Sequence, residues 1–290
     1  MRTNRETRIS VNSMRFRRMA RSVSLHAVLI SLSIVFLFPF VWMVSTSLKP
    51  IEQAMAMPPK WIPDPFRFRN YLDAVRYIPF FTYAKNTLII CVLGTVGTVV
   101  SASLVAYGFS RIEWKGRDVV FLAVLATMMV PFPVTMIPLY AVFRELHWVG
   151  TLRPLWVPAW FAAAFNVFLL RQFFMTIPQD FSDAARIDGC TEFGIYRRVV
   201  LPLSRPALAV VALFHFMWAW NDFMGPLIYL IDKSTFTLAL GLQFYQSQHG
   251  GTEWHMLMAA STLVVLPIIV LFFFTQKTFI EGIAMTGLKG

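Results

Sequence analysis

The chain has 290 residues, of which 57% are hydrophobic and only 14% are charged, and its formal net charge is +11. A soluble domain of this size carries roughly a quarter charged residues. The shortfall lies in long apolar runs, which indicates lipid as the surrounding solvent and disfavours a large soluble helical protein.

Six apolar runs meet or approach the length that crosses a bilayer. A span needs about 20 mostly apolar residues, because about 30 Å of hydrocarbon is crossed at about 1.5 Å per residue. Backbone polar groups must be paired in lipid, and the runs lack the alternating polarity of barrel strands. The runs cover residues 25–47, 85–109, 119–143, 154–175, 205–231 and 255–275. They predict an all-α membrane protein with six transmembrane helices.

Seven arginines precede the first run, between Arg2 and Arg21, as they would in a signal peptide. The apolar stretch is longer than a signal core of about 7–15 residues, and no Ala-x-Ala site follows, so we expect a retained first span. With the N-terminus inside, 17 Lys and Arg lie in cytoplasmic segments and 9 in outer ones. This positive-inside bias predicts two cytoplasmic termini. The charge therefore orients the protein, and no nucleic acid partner is expected.

The second run carries small side chains at a spacing of four residues. They are Gly94, Thr98, Ala102, Ala106 and Ser110. Such a face lets another helix backbone come close, which favours a helix inside a bundle. A chance stripe in a helix rich in Gly and Ala gives the same pattern.

The segment 176–205, which joins the fourth and fifth runs, is far longer than the handful of residues that a turn between helices needs. We expect a helix that Ser182 caps and that continues to Ile187, a break at Gly189, and a second helical piece over residues 192–200. Such a segment suits docking in a groove of another protein. A helix that merely lies on the bilayer fits the periodicity equally well.

The same segment carries a spaced motif. Its residues are Asp183, Ala184, Ala185, Gly189, Val199, Leu201 and Pro202. Their spacing resembles the "EAA" loop of ABC-importer permeases, Glu-Ala-Ala-x3-Gly-x9-Ile-x-Leu-Pro, with Asp for Glu at 183 and Val for Ile at 199. Residues 171–174, 220–222 and 279–290 resemble the maltose-type carbohydrate branch of that family. The similarity covers nearly all six runs and leaves out the arginine-rich N-terminus.

The resemblance implies that a cytoplasmic coupling helix between transmembrane helices 4 and 5 docks on an ATPase subunit. The residues to which it gives this role are Asp183, Ala184, Ala185, Gly189, Glu192, Leu201 and Pro202. We divide the chain into a basic cytoplasmic segment 1–24, a six-helix permease domain 25–275 that contains the loop 176–205, and a cytoplasmic tail 276–290. Residues 282–290 resemble a tail that reaches toward the ATPase dimer interface, although a tail without function fits them too.

The implied function is that of the transmembrane permease subunit of an ABC importer in a bacterial or archaeal plasma membrane. With a second, homologous permease it would form the pathway for a di- or oligosaccharide. The implied partners are two ATPase subunits, an extracytoplasmic solute-binding protein and membrane lipid. The alternative is the same machine with glycerol 3-phosphate or glycerophosphodiesters as cargo. A secondary transporter is disfavoured, because we see neither inverted repeats nor broken helices around ion ligands.

No enzyme activity and no cofactor are expected in this chain. It lacks the phosphate-loop motif of nucleotide-binding proteins, so ATP and magnesium belong on the partner ATPases. The five histidines are scattered and isolated, and they indicate no catalytic site. Cys91 and Cys190 lack His or Cys neighbours, so we expect neither a metal site nor a disulfide.

Ionisable groups within spans are costly, which makes them functional candidates. Asp222 lies roughly 25 Å along the helix from Arg205, toward the outer leaflet. Beside it, Trp218, Trp220 and Asn221 offer the flat faces, donors and acceptors that suit a sugar ring. Interface anchoring, helix capping or contact with a partner subunit would account for the same residues.

Overall fold

The computed structural model describes the backbone of residues 3–246 and 251–287 and the side chains of residues 19–246 and 251–276. Over these residues the chain is a succession of helices. In chain order they are α1 (Thr3–Ser47), α2 (Ile51–Ala54), α3 (Arg69–Tyr77), α4 (Phe80–Ser110), α5 (Arg117–Ala126), α6 (Phe132–Glu145), α7 (Arg153–Trp156), α8 (Ala164–Thr176), α9 (Asp180–Ile187), α10 (Glu192–Ile195), α11 (Leu201–Leu203), α12 (Arg205–Asn221), α13 (Met224–Tyr229), α14 (Leu238–Gly241) and α15 (Trp254–Gly287).

Four helical stretches in the described part of the chain are long and apolar enough to cross a membrane. They are Met19–Ser47, Phe80–Ser110, Arg153–Thr176 and Trp254–Gln276. These match the first, second, fourth and sixth predicted runs, and the all-α membrane fold is thereby confirmed. The predicted boundary at residue 24 falls inside α1, which is continuous there. In the predicted tail 276–290, the side chains of residues 277–290 lie outside the described residues.

The third and fifth predicted spans pass the same test only as bent pairs of helices. Arg117–Met129 and Phe132–Glu145 meet at 96°, and Glu192–Leu203 and Arg205–Asn221 meet at 79°. At the first bend Val130 is extended immediately before Pro131, because a proline disfavours helical backbone in the residue that precedes it. If each pair is one span the count is six, which stays a prediction.

The chain forms two compact units. The first comprises Met1–Ala74 and Thr252–Thr262, and the second comprises Val75–Gly251 and Leu263–Gly290. The first unit contains α1 to most of α3 and the start of α15. The second contains α4 to α14 and the rest of α15.

A buried polar cluster joins α3 to the end of α1 in the first unit. Asn70 Nδ2 donates to the carbonyl oxygens of Ser47 and Lys49, at 2.9 and 2.8 Å. The Lys49 ammonium lies 3.8 Å from the centre of the Trp42 ring. Burial lowers the pKa of Lys49, because it penalises the charged form. The cluster holds α3 against the end of the first span.

Helix α4 organises the second unit by packing against α8 and α12. Four members of its predicted small-residue face are buried: Gly94, Thr98, Ala102 and Ala106. A parallel set of larger apolar side chains is exposed: Val92, Val96, Val100 and Leu104. The predicted packing of this helix inside a bundle is confirmed, and its second face is left for lipid or another subunit.

One close contact of α4 in the second unit is at Gly97. The Trp160 ring occupies the space that a Cβ at Gly97 would need. Its indole Nε1 donates to the Leu93 carbonyl oxygen at 3.1 Å. Trp160 belongs to the 3-10 turn Val157–Phe161, which separates α7 from α8. A glycine is therefore required here for packing.

Candidate functional site

The loop 176–205 folds as two short helical pieces joined by a left-handed turn. α9 begins at Asp180, one turn earlier than expected, so Ser182 lies inside the helix. The predicted Ser182 cap was wrong: its Oγ is buried and has no hydrogen-bond partner. Gly189 ends this piece with φ +80°. Thr191 then caps α10, where its Oγ1 accepts a hydrogen bond from the Gly194 amide at 3.2 Å.

Arg186 connects the two pieces across the turn. Its Nη1 lies 2.7 Å from Asp183 Oδ1, and its Nε lies 2.9 Å from Glu192 Oε1. The hydrogen bond to Glu192 is the main cause that raises the pKa of Arg186 above its usual value. Both acidic residues that the sequence assigned to ATPase contacts are thus engaged within the chain, where they fix the shape of the loop.

The two motif alanines face opposite ways. Ala185 is buried in the core that α4, α8 and α12 share with the loop. Ala184 is exposed, and so are the large apolar side chains on either side of it. We refer to this exposed set as the docking face: Phe181, Ala184, Ile187 and Phe193. Ala185 therefore allows the loop to approach its own bundle closely, whereas Ala184 places a small side chain among the larger ones on the exposed side.

Leu201 and Pro202 lead the chain into the fifth span. They belong to α11, which follows the π-helical turn Tyr196–Val200. Leu201 packs against the core, and Pro202 is exposed. The 79° bend at Ser204 then directs the chain into α12. These two residues shape the exit of the loop and add little to the docking face.

Helix α4 and the residue after it contact the loop at three levels. Ser103 Oγ lies 2.8 Å from Tyr196 OH. The Tyr107 hydroxyl donates to Glu192 Oε2 at 2.7 Å. Both tyrosine rings also meet edge to face, with centroids 5.3 Å apart.

The third level is Arg111, whose side chain is almost fully buried. Its Nη2 donates to the Ile177 carbonyl oxygen and its Nη1 to Gln179 Oε1, each at 2.6 Å. Sequence analysis missed Ser103, Tyr107 and Arg111. A four-residue polar spacing, one position beyond the small stripe, was the available signal.

The residues predicted for the substrate pathway do not converge. Trp220 is buried and donates from Nε1 to the Val264 carbonyl oxygen at 3.2 Å. Trp218 is 63% exposed and points away from that contact. Trp220 therefore holds α12 to α15, whereas the Trp218 ring, whose centroid lies 5.8 Å from that of His215, stays largely exposed.

The two polar members of that set contact nearby backbone. Asn221 Nδ2 donates to the Met217 carbonyl oxygen at 2.7 Å. Asp222 Oδ1 accepts from the Gly225 amide at 3.1 Å, in the turn between α12 and α13. The helix-capping interpretation that the sequence left open describes this Asp222 contact.

One of the scattered histidines, His215, is part of the packed interior. His215 Nδ1 lies 3.1 Å from Thr98 Oγ1. A Cβ at Gly94 would lie 2.6 Å from His215 Nε2. Gly94 and Thr98 thus accommodate a polar side chain of α12, which the small-residue pattern alone did not reveal.

Comparison with known proteins agrees with this architecture. Residues 94–284 match the family described as binding-protein-dependent transport system inner membrane component. The arabinooligosaccharides transport system permease protein AraQ of Bacillus subtilis is 36% identical over 89% of this chain and 92% of its own length. The trehalose/maltose transport system permease protein MalG of Thermococcus litoralis is 34% identical over 90% of this chain and 94% of its own.

A solved structure shares the fold. A chain of a bacterial ABC transporter involved in the import of the acidic polysaccharide alginate superimposes with a TM-score of 0.78. The two are 23% identical, and the match covers 91% of this chain and 97% of the other. From the family match and the two relatives, we conclude that this chain belongs to the binding-protein-dependent transport system inner membrane components.

Proposed function

We propose that this chain is the transmembrane permease subunit of an ABC importer and that the loop 176–205 couples it to a partner ATPase. The docking face carries this proposal. Phe181 is 52% exposed, Ile187 87% and Phe193 63%, on a loop whose other side is fixed to the bundle. Apolar side chains on a rigid, water-facing loop are costly unless a partner covers them. The groove of an ATPase subunit is the occupant that the family resemblance implies.

Each acidic residue of the loop then has a local role. Asp183 and Glu192 hold Arg186, and Arg186 fixes α9 relative to α10. Preorganisation lowers the entropy that docking would otherwise cost. The partner therefore contacts a rigid loop. A displacement of this loop is transmitted to the bundle, because the loop itself does not deform.

The assembly proposed around the chain contains a second permease, two ATPase subunits that bind ATP and magnesium, and an extracytoplasmic solute-binding protein. Both termini and the loop lie in the cytoplasm, and six spans cross the membrane. ATP binding brings the ATPase subunits together and carries the loops with them. Nucleotide and solute then each favour one of two states of the bundle, which is the linkage that transport requires.

A di- or oligosaccharide is the proposed cargo. Relatives that cover most of this chain are named for arabinooligosaccharides, diacetylchitobiose, and trehalose with maltose. Trp218 and Asn221 are the exposed side chains of the predicted set, and both can face a sugar ring. Glycerol 3-phosphate and glycerophosphodiesters are the competing cargo, and the same assay distinguishes them.

Reconstituted transport tests this function. The chain is copurified with its partner subunits and placed in liposomes with the solute-binding protein. We expect ATP-dependent uptake of a labelled oligosaccharide that uncouplers do not inhibit. Uptake of glycerol 3-phosphate without any sugar uptake would show that glycerol 3-phosphate is the cargo. Uptake driven by an ion gradient without ATP would overturn the proposal.

A further inference from the structure

The three polar contacts between α4 and the loop follow one register. Ser103, Tyr107 and Arg111 are four residues apart, so they lie along one side of the helix over roughly 12 Å. We name these three residues the α4 ladder. From Ser103 to Arg111 the ladder contacts the second piece of the loop, its Glu192, and the start of the loop.

Separating the α4 ladder from the loop would cost free energy, because its side chains are buried. Ser103, Tyr107 and Arg111 are all buried. A buried donor that loses its partner keeps the cost of desolvation and loses the hydrogen bond. Moving the loop away from α4 would therefore expose several such groups at once.

Within the described residues, the side-chain hydrogen bonds that leave the loop lead to α4 or to Arg111 directly after it, apart from the Thr176 hydroxyl, which donates to the Phe173 carbonyl oxygen at the end of α8. The connection to α12 is of another kind. There the chain turns by 79° at Ser204, whose Oγ is buried and has no hydrogen-bond partner. Side-chain hydrogen bonds thus hold the loop against α4, whereas a bend in the chain separates the loop from α12.

We propose that the α4 ladder makes the loop and α4 move as one rigid body, so that displacement of the docking face reaches the translocation pathway through α4. Tyr107 is the central positioning residue, because it joins α4 to Glu192 and, through Arg186, to the docking helix α9. This inference rests on the proposed function of the loop. It adds the route by which the movement enters the membrane.

Tyr107→Phe tests the route because it removes one hydroxyl group and leaves the ring in place. In proteoliposomes we expect the ATPase subunits to remain bound and ATP hydrolysis to stay within about twofold of the unmodified protein. The sugar transported per ATP hydrolysed should fall at least about fivefold. Tyr229→Phe is the matched control, since the Tyr229 hydroxyl is buried and has no hydrogen-bond partner. An unchanged transport ratio in Tyr107→Phe would overturn the proposal.

A second pair of variants keeps the test independent of the folding of Tyr107→Phe. Ser103→Ala and Tyr196→Phe remove the two sides of one contact. Each should lower the transport ratio, and the double variant should lower it no further than the larger single effect. Additive effects would contradict a shared contact, and normal ratios in both would contradict the ladder.

A distance measurement tests rigidity directly. Spin labels at Leu104→Cys and Asp180→Cys, both exposed and both outside the docking face, report on α4 and on α9 after Cys91 and Cys190 are replaced. One unchanged distance is expected with and without nucleotide, and Tyr107→Phe should broaden it. A nucleotide-dependent shift in the otherwise unmodified assembly would overturn rigid-body movement. Failure of that assembly to bind ATPase subunits would instead count against the proposed function of the loop.

Discussion

The two ends of the α4–α12 pair behave differently. At the loop end, residues far apart in sequence meet: Tyr107 bonds to Glu192 and Arg111 to Ile177. At the other end of α12, which we name the tryptophan end, Trp218 and Trp220 are neighbours in sequence but contact different surroundings. Two residues along a helix are about 200° apart around its axis, so such neighbours cannot share one face. Proximity in sequence is therefore a poor guide to a shared site on a helix.

The largest expected effect separates the two tryptophans. Trp220→Ala removes a buried indole and its hydrogen bond to the Val264 carbonyl oxygen. The loss should cost about 3–5 kcal/mol of stability. Trp218→Ala removes an exposed ring and should change stability by about 0.5 kcal/mol or less. Thermal unfolding of the purified complex measures both.

The same pair tests the remaining part of the pathway prediction. If Trp218 faces the sugar, Trp218→Ala should weaken uptake at low sugar concentration while the complex remains intact. Equal loss of stability in the two variants would contradict the separation of their faces.

A smaller effect is expected within α4 itself. Gly97→Ala places a methyl group in the Trp160 ring and should destabilise the protein by about 1–3 kcal/mol through overpacking. Gly108→Ala meets no atom within 4 Å and should be neutral or slightly stabilising. Melting temperatures of both variants provide the comparison. A lower value for Gly108→Ala than for Gly97→Ala would mean that the Trp160 contact is incidental.

The smallest effect concerns Asp222 at the tryptophan end. Asp222→Asn keeps an oxygen that accepts from the Gly225 amide, so stability should hardly change. Asp222→Ala removes the acceptor and should cost about 0.5–1.5 kcal/mol. Transport that stops in Asp222→Asn, with stability unchanged, would show that the charge has a role beyond the turn.

Most of the fold could be predicted from the sequence, because the lipid environment restricts which structures can cross it. Lipid requires long apolar helices, and the first, second, fourth and sixth runs are all found. The angles of the bends at Pro131 and Ser204 could not be predicted from the apolar runs alone. These angles depend on local backbone geometry, to which an average over a run is insensitive.

Some features of the candidate site could likewise be predicted from the sequence, and others could not. The bend at Gly189 and the start of α10 at Glu192 are local features, and both lie where the helix-forming and helix-breaking residues of the loop predicted them. The inward side of Ala185 and the engagement of Glu192 by Tyr107 depend on tertiary contacts across the bundle. A spaced motif fixes the shape of a segment but does not say which of its residues face the partner.

The central claim is that the loop 176–205 couples ATP hydrolysis to transport, and Gly189→Asp against Thr191→Asp tests it most directly. Gly189 has φ +80°, where a side chain costs about 1–2 kcal/mol. Aspartate at 191 adds the same charge but can still accept the Gly194 amide as a helix cap. ATP-driven sugar uptake is measured for both in proteoliposomes, together with ATPase binding.

We expect uptake to fall at least about tenfold in Gly189→Asp, which corresponds to about 1.4 kcal/mol, with loss of ATPase binding or of substrate-stimulated hydrolysis. Thr191→Asp should transport at a near-normal rate, and the membrane bundle should remain folded in both variants. Equal, near-normal uptake in the two variants would contradict the coupling role of the loop.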